Sequence, residues 1–233
     1  MAVVATRSHL YLGVCKTFPD KVIDLSSISG IVRRWLVKYR TLTATMEVTM
    51  ARLDDIAIAK TLCDYFVGRR VYGQGLDTNT QAGLALYQRG GRLSTALTLQ
   101  NAAAQRTVNQ QAFWEHIGAR QRREPDGSGL WCDGSAGIII SLLGQRSDFK
   151  SKLEVIKQGD PTVHGHWWVL ANRPNNAVLD FDTDLHQDSF VIDIWGAIRG
   201  NLPSSVAYNP SHILYDCGQD NSLEIVCTVP AKP

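Results

Sequence analysis

Apolar and polar positions recur with two different periods along this chain, and the period changes near its middle. The first 25 residues read as extended, with Leu10, Leu12 and Val14 alternating before a turn at Pro19-Asp20. From Ser26 to about Arg123 the period is helical. "SSISGIVRRWLVKYR" opens on a serine start signal and sets Ile31, Trp35, Leu36 and Tyr39 at helical spacing. "ARLDDIAIAKTLCDYFVGRR" repeats the pattern with Leu53, Ile56, Ala57, Leu62 and Phe66, ending near Gly68. The loop "YGQGLDTN" supplies Asp77, Thr78 and Asn79 as capping residues for a helix over "TQAGLALYQRGG". "RLSTALTLQNAAAQ" and "TVNQQAFWEHIGARQRR" predict two more helices.

Pro125, Asp126, Gly127 and Gly129 break the pattern in the loop "EPDGSG". A helix opened by Cys132 follows, and "SDFKSKLEVIKQ" predicts another, stopped by Gly159-Asp160-Pro161. Beyond it the period is that of strands: "HGHWWVLAN", then "AVLDFDTD" after an "RPNN" turn, "SFVIDIWGA", "HILYDCG" and "LEIVCTV". Helices first and an antiparallel sheet afterwards make an α+β fold. The expected division is a mainly helical region over 1–123, for recognition or delivery, and a catalytic core over 124–233. A single continuous domain is the alternative.

Composition narrows the function. The net charge of +2 is balanced, and no Lys/Arg stripe interleaves with aromatics, so nucleic-acid binding is not expected. Arg120, Arg122 and Arg123 read as a solvated helix end. No apolar run reaches the roughly 18 residues of a membrane span. The N-terminus lacks a charged segment followed by a long apolar one, so no signal peptide is expected. That fits a protein cytoplasmic in its producer or exported by a dedicated secretion system. The five cysteines include no CxxC pair, and neither a metal nor a cofactor is expected. Cys217 and Cys227 either face each other across a terminal hairpin or stay as buried thiols.

Three stretches carry candidate chemistry. Cys132 opens a helix, where unpaired N–H groups and partial positive charge favour a thiolate and can hold an oxyanion. Its alkylation well below pH 8 is the corresponding expectation. In "HGHWWVL", strand alternation puts His164, His166 and Trp168 on one face and Trp167 and Val169 on the other. Either histidine can serve as the base for the thiol. In "FVIDIWGA", Asp193 is an acid among apolar neighbours, costly to bury unless paired, and a partner for His166. Asp180 and Asp182, 14 and 16 residues after His166, compete for that role. Trp131, Trp167, Trp168 and Trp195 are candidates for the walls of a substrate cleft, and equally for core aromatics.

The order Cys, His, Asp, with "GLWCDGSAG", "GHWWVL" and "VIDIW", resembles the papain-like and transglutaminase-like cysteine enzymes. The 34-residue spacing from Cys132 to His166 is similar to that of compact bacterial effector and toxin members, which include deamidases and site-specific proteases. The resemblance covers roughly Gly127 to Ala197 and implies a nucleophile helix packed on an antiparallel sheet. It implies Cys132, His166 and Asp193 as a triad acting on an amide of a protein substrate, with a chaperone or immunity protein as a further partner. The family's acid strand is often written Asp-Pro-Trp, where this chain has Asp193-Ile194-Trp195. Its glutamine a few residues before the cysteine is absent; Gln121, farther upstream, and Ser128 are the stand-ins for an oxyanion donor. Glutamine or asparagine deamidation, proteolysis, transamidation and cell-wall amide cleavage all fit this pattern. A non-catalytic binding module and a metal hydrolase built on His164, His166 and an Asp are rivals from other classes.

Overall fold

The computed structural model describes residues 52–72, 81–159, 165–175, 179, 188–207 and 222–233. The predictions for residues 1–51, "AVLDFDTD" apart from Leu179, and "HILYDCG" with Cys217 lie outside them, as do His164, Asp180 and Asp182. The described residues belong to one compact unit, Glu47–Pro233.

Helix α1 covers residues 52–67. Its apolar stripe, Ile56, Ala59, Cys63 and Phe66, lies in the main core, whereas Leu53 is half exposed. Two acids flank that stripe and reach other parts of the fold. Asp55 accepts hydrogen bonds from the Lys150 and Ser151 amides (2.8 and 2.6 Å) and from Ser151 Oγ (2.6 Å). Asp64 accepts from the Ser205 amide and hydroxyl at 2.8 and 2.7 Å.

Strand β1 (Val71–Tyr72) pairs in parallel with β2 (Gly129–Leu130), a small sheet the sequence pattern does not announce. Between them run α2 (Gln81–Ala103) and α3 (Gln111–Gln121). Helix α2 is continuous through Gly90-Gly91, where the pattern predicts a break. The Trp131 ring lies against this point, and a Cβ on Gly90 would come within 2.8 Å of its Nε1. The glycines make room for an indole instead of ending the helix.

Helix α4 (Cys132–Leu143) follows β2, and Ile138, Ile139 and Ile140 are all fully buried. A helix that is apolar all round belongs inside. It crosses α3 at glycine contacts: a Cβ on Gly118 would meet the Gly137 carbonyl oxygen at 2.0 Å, and one on Gly137 would meet Ile117 Cγ2 at 2.7 Å. At its C-terminal end Lys232 Nζ donates to the carbonyls of Leu143 (3.3 Å) and Arg146 (2.5 Å), a cation placed where helix carbonyls lack partners.

The chain then enters the sheet: β3 (Leu153–Gln158), β4 (His166–Ala171), β5 (Phe190–Ile192), β6 (Val206–Ala207) and β7 (Leu223–Val229). The order is β6-β5-β4-β3-β7, and every pairing is antiparallel. The helix predicted over "SDFKSKLEVIKQ" is therefore corrected. Its second half is β3, flanked by β4 and β7, with Leu153 and Val155 in the main core and Ile156 in a second core on the opposite face. Glu154 is buried there against Arg173, whose guanidinium donates at 2.6 and 2.8 Å, and against Lys152 at 3.0 Å. A strand buried on both faces loses the clean alternation that marks strands in sequence. The "SFVIDIWGA" strand is also shorter than predicted. It stops at Ile192, and Asp193 starts the short helix α5 (Ile194–Ile198) by accepting the Gly196 N–H at 3.0 Å.

The α3–α4 crossing gives the first test. Gly118→Ala forces a methyl group onto backbone and is expected to cost about 3 kcal/mol, the upper end of ordinary overpacking. Gly68→Ala, where a Cβ meets nothing within 4 Å, is the matched control and should shift the urea midpoint little. Equal midpoints for the two variants would show that the crossing is not close-packed.

Candidate active site

Cys132 is the first residue of α4 and is half-buried. Trp131 precedes it in extended conformation and makes no side-chain cap. The acid at the second helical position turns back on the helix start: Asp133 Oδ1 accepts the Gly134 N–H at 2.7 Å, and Oδ2 accepts the Ser94 hydroxyl from α2. Burial pushes the Asp133 carboxyl above its ordinary range, against the pull of those hydrogen bonds.

Burial also pushes the Cys132 thiol up. Asp133 adds to this by charge repulsion, and Asp193 does so more weakly, while the backbone N–H groups of Trp167 and Asp133 work the other way. The expectation of a thiol lowered by its helix start is thus corrected. A helix terminus is worth about 0.3–1 kcal/mol to a nearby charge, less than the penalty of taking a thiolate out of water beside a carboxyl.

His166 and Asp193 come together. His166 begins β4, and its Nε2 lies 2.8 Å from Asp193 Oδ2, with both side chains buried. The His166 ring stacks on Trp195 at 4.5 Å between centroids. Asp193 Oδ1 accepts from Gly196 N–H at 3.0 Å and from Ser135 Oγ at 3.4 Å. Ser135 stands three residues after Cys132 on α4, and its hydroxyl also accepts the Trp195 N–H at 3.1 Å. The Asp193 backbone N–H donates to the Ser205 carbonyl at 2.7 Å, and Ser205 is itself held by Asp64. Ser135, Asp64 and Asp133 were not singled out from sequence. Ser135 is readable in hindsight as a hydroxyl on an otherwise apolar helix; the contacts of Asp64 and Asp133 are tertiary and leave no local signal.

Cys132 meets β4 at its His166 end. The N–H of Trp167, the next residue, points at the sulfur, and Cys132 packs against the cluster containing Trp168 and Trp195. Among the described residues no hydrogen bond joins the Cys132 thiol to the imidazole. Gln121 ends α3 buried, with its side-chain amide against the first turn of α4: a Cβ on Gly134 would lie 3.0 Å from its Cδ and Nε2. Arg70 fixes this end of α3, donating to the carbonyls of Gln121 (3.1 Å) and Pro125 (2.5 Å). Ser128 is buried in the turn before β2, its amide bonded to the Pro125 carbonyl.

The four tryptophans divide. Trp131 and Trp167 line a cavity of about 660 Å³ in which Cys132 and Asp133 form part of the wall. Trp168 and Trp195 are not in that wall; they are packed in the second core, 1% and 5% exposed.

No family model, curated protein or solved structure matches this chain.

Among the described residues no group of three or more His, Cys, Asp or Glu side chains is arranged to hold a metal ion. No helix among them is long and apolar enough to cross a membrane.

The raised thiol makes a second test. Cys132 should react with iodoacetamide more slowly at pH 7 than a free peptide thiol, with a rate still climbing above pH 9 where the peptide levels off. Asp133→Asn should accelerate it by about threefold to tenfold, up to about one pKa unit of thiol acidity. A pH-rate profile of Cys132 labelling read by peptide mass spectrometry decides. Identical profiles for the two proteins would refute the role given to Asp133.

Proposed function

We propose that this protein is a cysteine-dependent amide hydrolase acting on a protein target, of the papain-like or transglutaminase-like kind, with Cys132 as nucleophile, His166 as base and Asp193 as its orienting acid. The observation that carries this is the buried His166–Asp193 pair at 2.8 Å, tied through Ser135 to the helix that Cys132 begins. Burying a carboxylate and an imidazole together is costly. Here Gly196, Ser135 and the ring all donate to the same carboxylate. Asp193 on Nε2 orients the ring for proton transfer with the thiol.

A thiol held neutral in the resting protein calls for general-base attack rather than a standing ion pair. His166 takes the thiol proton as the sulfur adds to the amide carbonyl, then gives it to the departing amine or ammonia. Water hydrolyses the thioester through the same base. The backbone N–H groups at the start of α4 are the candidate donors to a developing oxyanion. A delivered effector or toxin that modifies a host or competitor protein fits this reading.

One observation favours a second reading, a non-catalytic binding module: the thiol is pushed up and is not bonded to the imidazole. Intact-mass spectrometry of host-lysate proteins incubated with the pure protein separates the two. Hydrolysis gives a gain of about 1 Da for deamidation or a split chain for proteolysis. Cys132→Ala should abolish the change, and His166→Ala and Asp193→Asn should slow it by about 10²- to 10⁴-fold. A modification that survives Cys132→Ala would overturn the nucleophile assignment.

A further inference from the structure

The 660 Å³ cavity is formed jointly by the helical segment and the sheet. Its floor is Trp114 and Ile117 of α3 with Trp167 of β4, and the Trp114 and Trp167 rings stand 5.3 Å apart. Thr95 and Thr98 of α2 lie on its exposed rim. Cys132 is in the wall. Binding pockets for small ligands run from about 300 to 1,000 Å³, so this one accommodates several groups, far more than a carboxamide side chain needs.

Its charged groups are already engaged. Lys157 and Glu224 lie 3.5 Å apart where β3 meets β7. Asp133 turns its carboxyl toward the Ser94 hydroxyl and the Gly134 N–H. An aromatic floor whose neighbouring charged groups are engaged in this way favours an uncharged apolar occupant, which asks for no charged partner on entry. The rim hydroxyls add acceptors suited to peptide N–H groups, Thr98 already donating its own proton to the Ser94 carbonyl at 3.1 Å.

We propose that this cavity is the specificity pocket of the site and takes a bulky, uncharged side chain, aromatic or large aliphatic, of the polypeptide that Cys132 attacks. This rests on Cys132 being the nucleophile. It moves the expected reaction from side-chain deamidation toward cleavage at a backbone amide next to such a residue. It also gives the helical segment a part in the site: α2 and α3 build the wall that selects the substrate.

The test separates the pocket from the chemistry. Binding of two acetylated tripeptide amides, Ala-Phe-Ala and Ala-Gln-Ala, to Cys132→Ser is measured by calorimetry, with dodecanoyl amide as a third ligand. The phenylalanine peptide should bind at least tenfold more tightly than the glutamine peptide, and Thr98→Trp, which fills the rim, should remove the difference. Equal affinities, a preference for glutamine, or tighter binding of dodecanoyl amide would overturn the pocket assignment whatever Cys132 does.

Labelling of the native protein then locates the occupant. N-(naphthylmethyl)chloroacetamide should alkylate Cys132 with saturation and at least tenfold faster than chloroacetamide, after correction for their rates with glutathione. A corrected ratio near one would show that the occupied pocket does not present its ligand to the sulfur, and would overturn the proposal. If the binding preference holds while Cys132→Ala leaves turnover of protein targets intact, the nucleophile reading has failed and the pocket stands.

Discussion

The arrangement around α4 depends on keeping one carboxylate buried. Asp193 has no exposure, and a charge there is tolerable only while its donors stay in place. Among those donors are His166 from β4, Ser135 from α4, and Gly196 from the helix that Asp193 itself starts. Its backbone is held by Ser205, and Ser205 by Asp64 of α1. Removing any one donor leaves a lone pair facing a dry interior, so the acid fixes the relative positions of β4, α4 and α5.

The α3–α4 crossing meets a different constraint with the same consequence. Gly118 and Gly137 bring two helix backbones into contact, closer than side chains allow. That closeness sets the Gln121 amide against the first turn of α4 while Arg70 holds the carbonyl end of the same helix. A residue eleven positions before the cysteine in sequence thereby lies against the first turn of the helix that the cysteine opens. Separation along the chain was a poor guide to its place.

Much of this was legible. The α+β order, the helix opened by Cys132 and the strand alternation at His166 to Val169 follow from periodicity, because α4 and β4 are long enough to show it. The opposite faces of Trp167 and Trp168 also follow, and they explain why one lines the cavity and the other does not. Strand β3 was illegible because burial on both faces removes alternation, and Lys152, Glu154 and Lys157 imitate a helix surface. Helix α2 is illegible as one element because Gly90-Gly91 has the pattern of a break, and only the Trp131 ring packed against it accounts for the two glycines. Asp193 was found as an acid among apolar residues, but its role as a helix cap needs the hydrogen bond to Gly196.

The corrected thiol shows why position in a helix does not decide reactivity. The helix start offers Cys132 a partial positive charge, and the N–H groups of Trp167 and Asp133 add to it. Burial and the Asp133 carboxyl oppose these and win. A cysteine so placed is quiet at rest, and on the proposed reading a base takes its proton as the carbonyl arrives. The His166–Asp193 pair suits that step, since a carboxylate bonded to one ring nitrogen stabilises an imidazolium. An occupant of the adjoining cavity would displace water from around the sulfur and further disfavour a free thiolate. On the proposed reading, proton transfer concerted with attack is the course that puts no free thiolate in the site, and it favours a substrate large enough to fill the cavity beside Cys132.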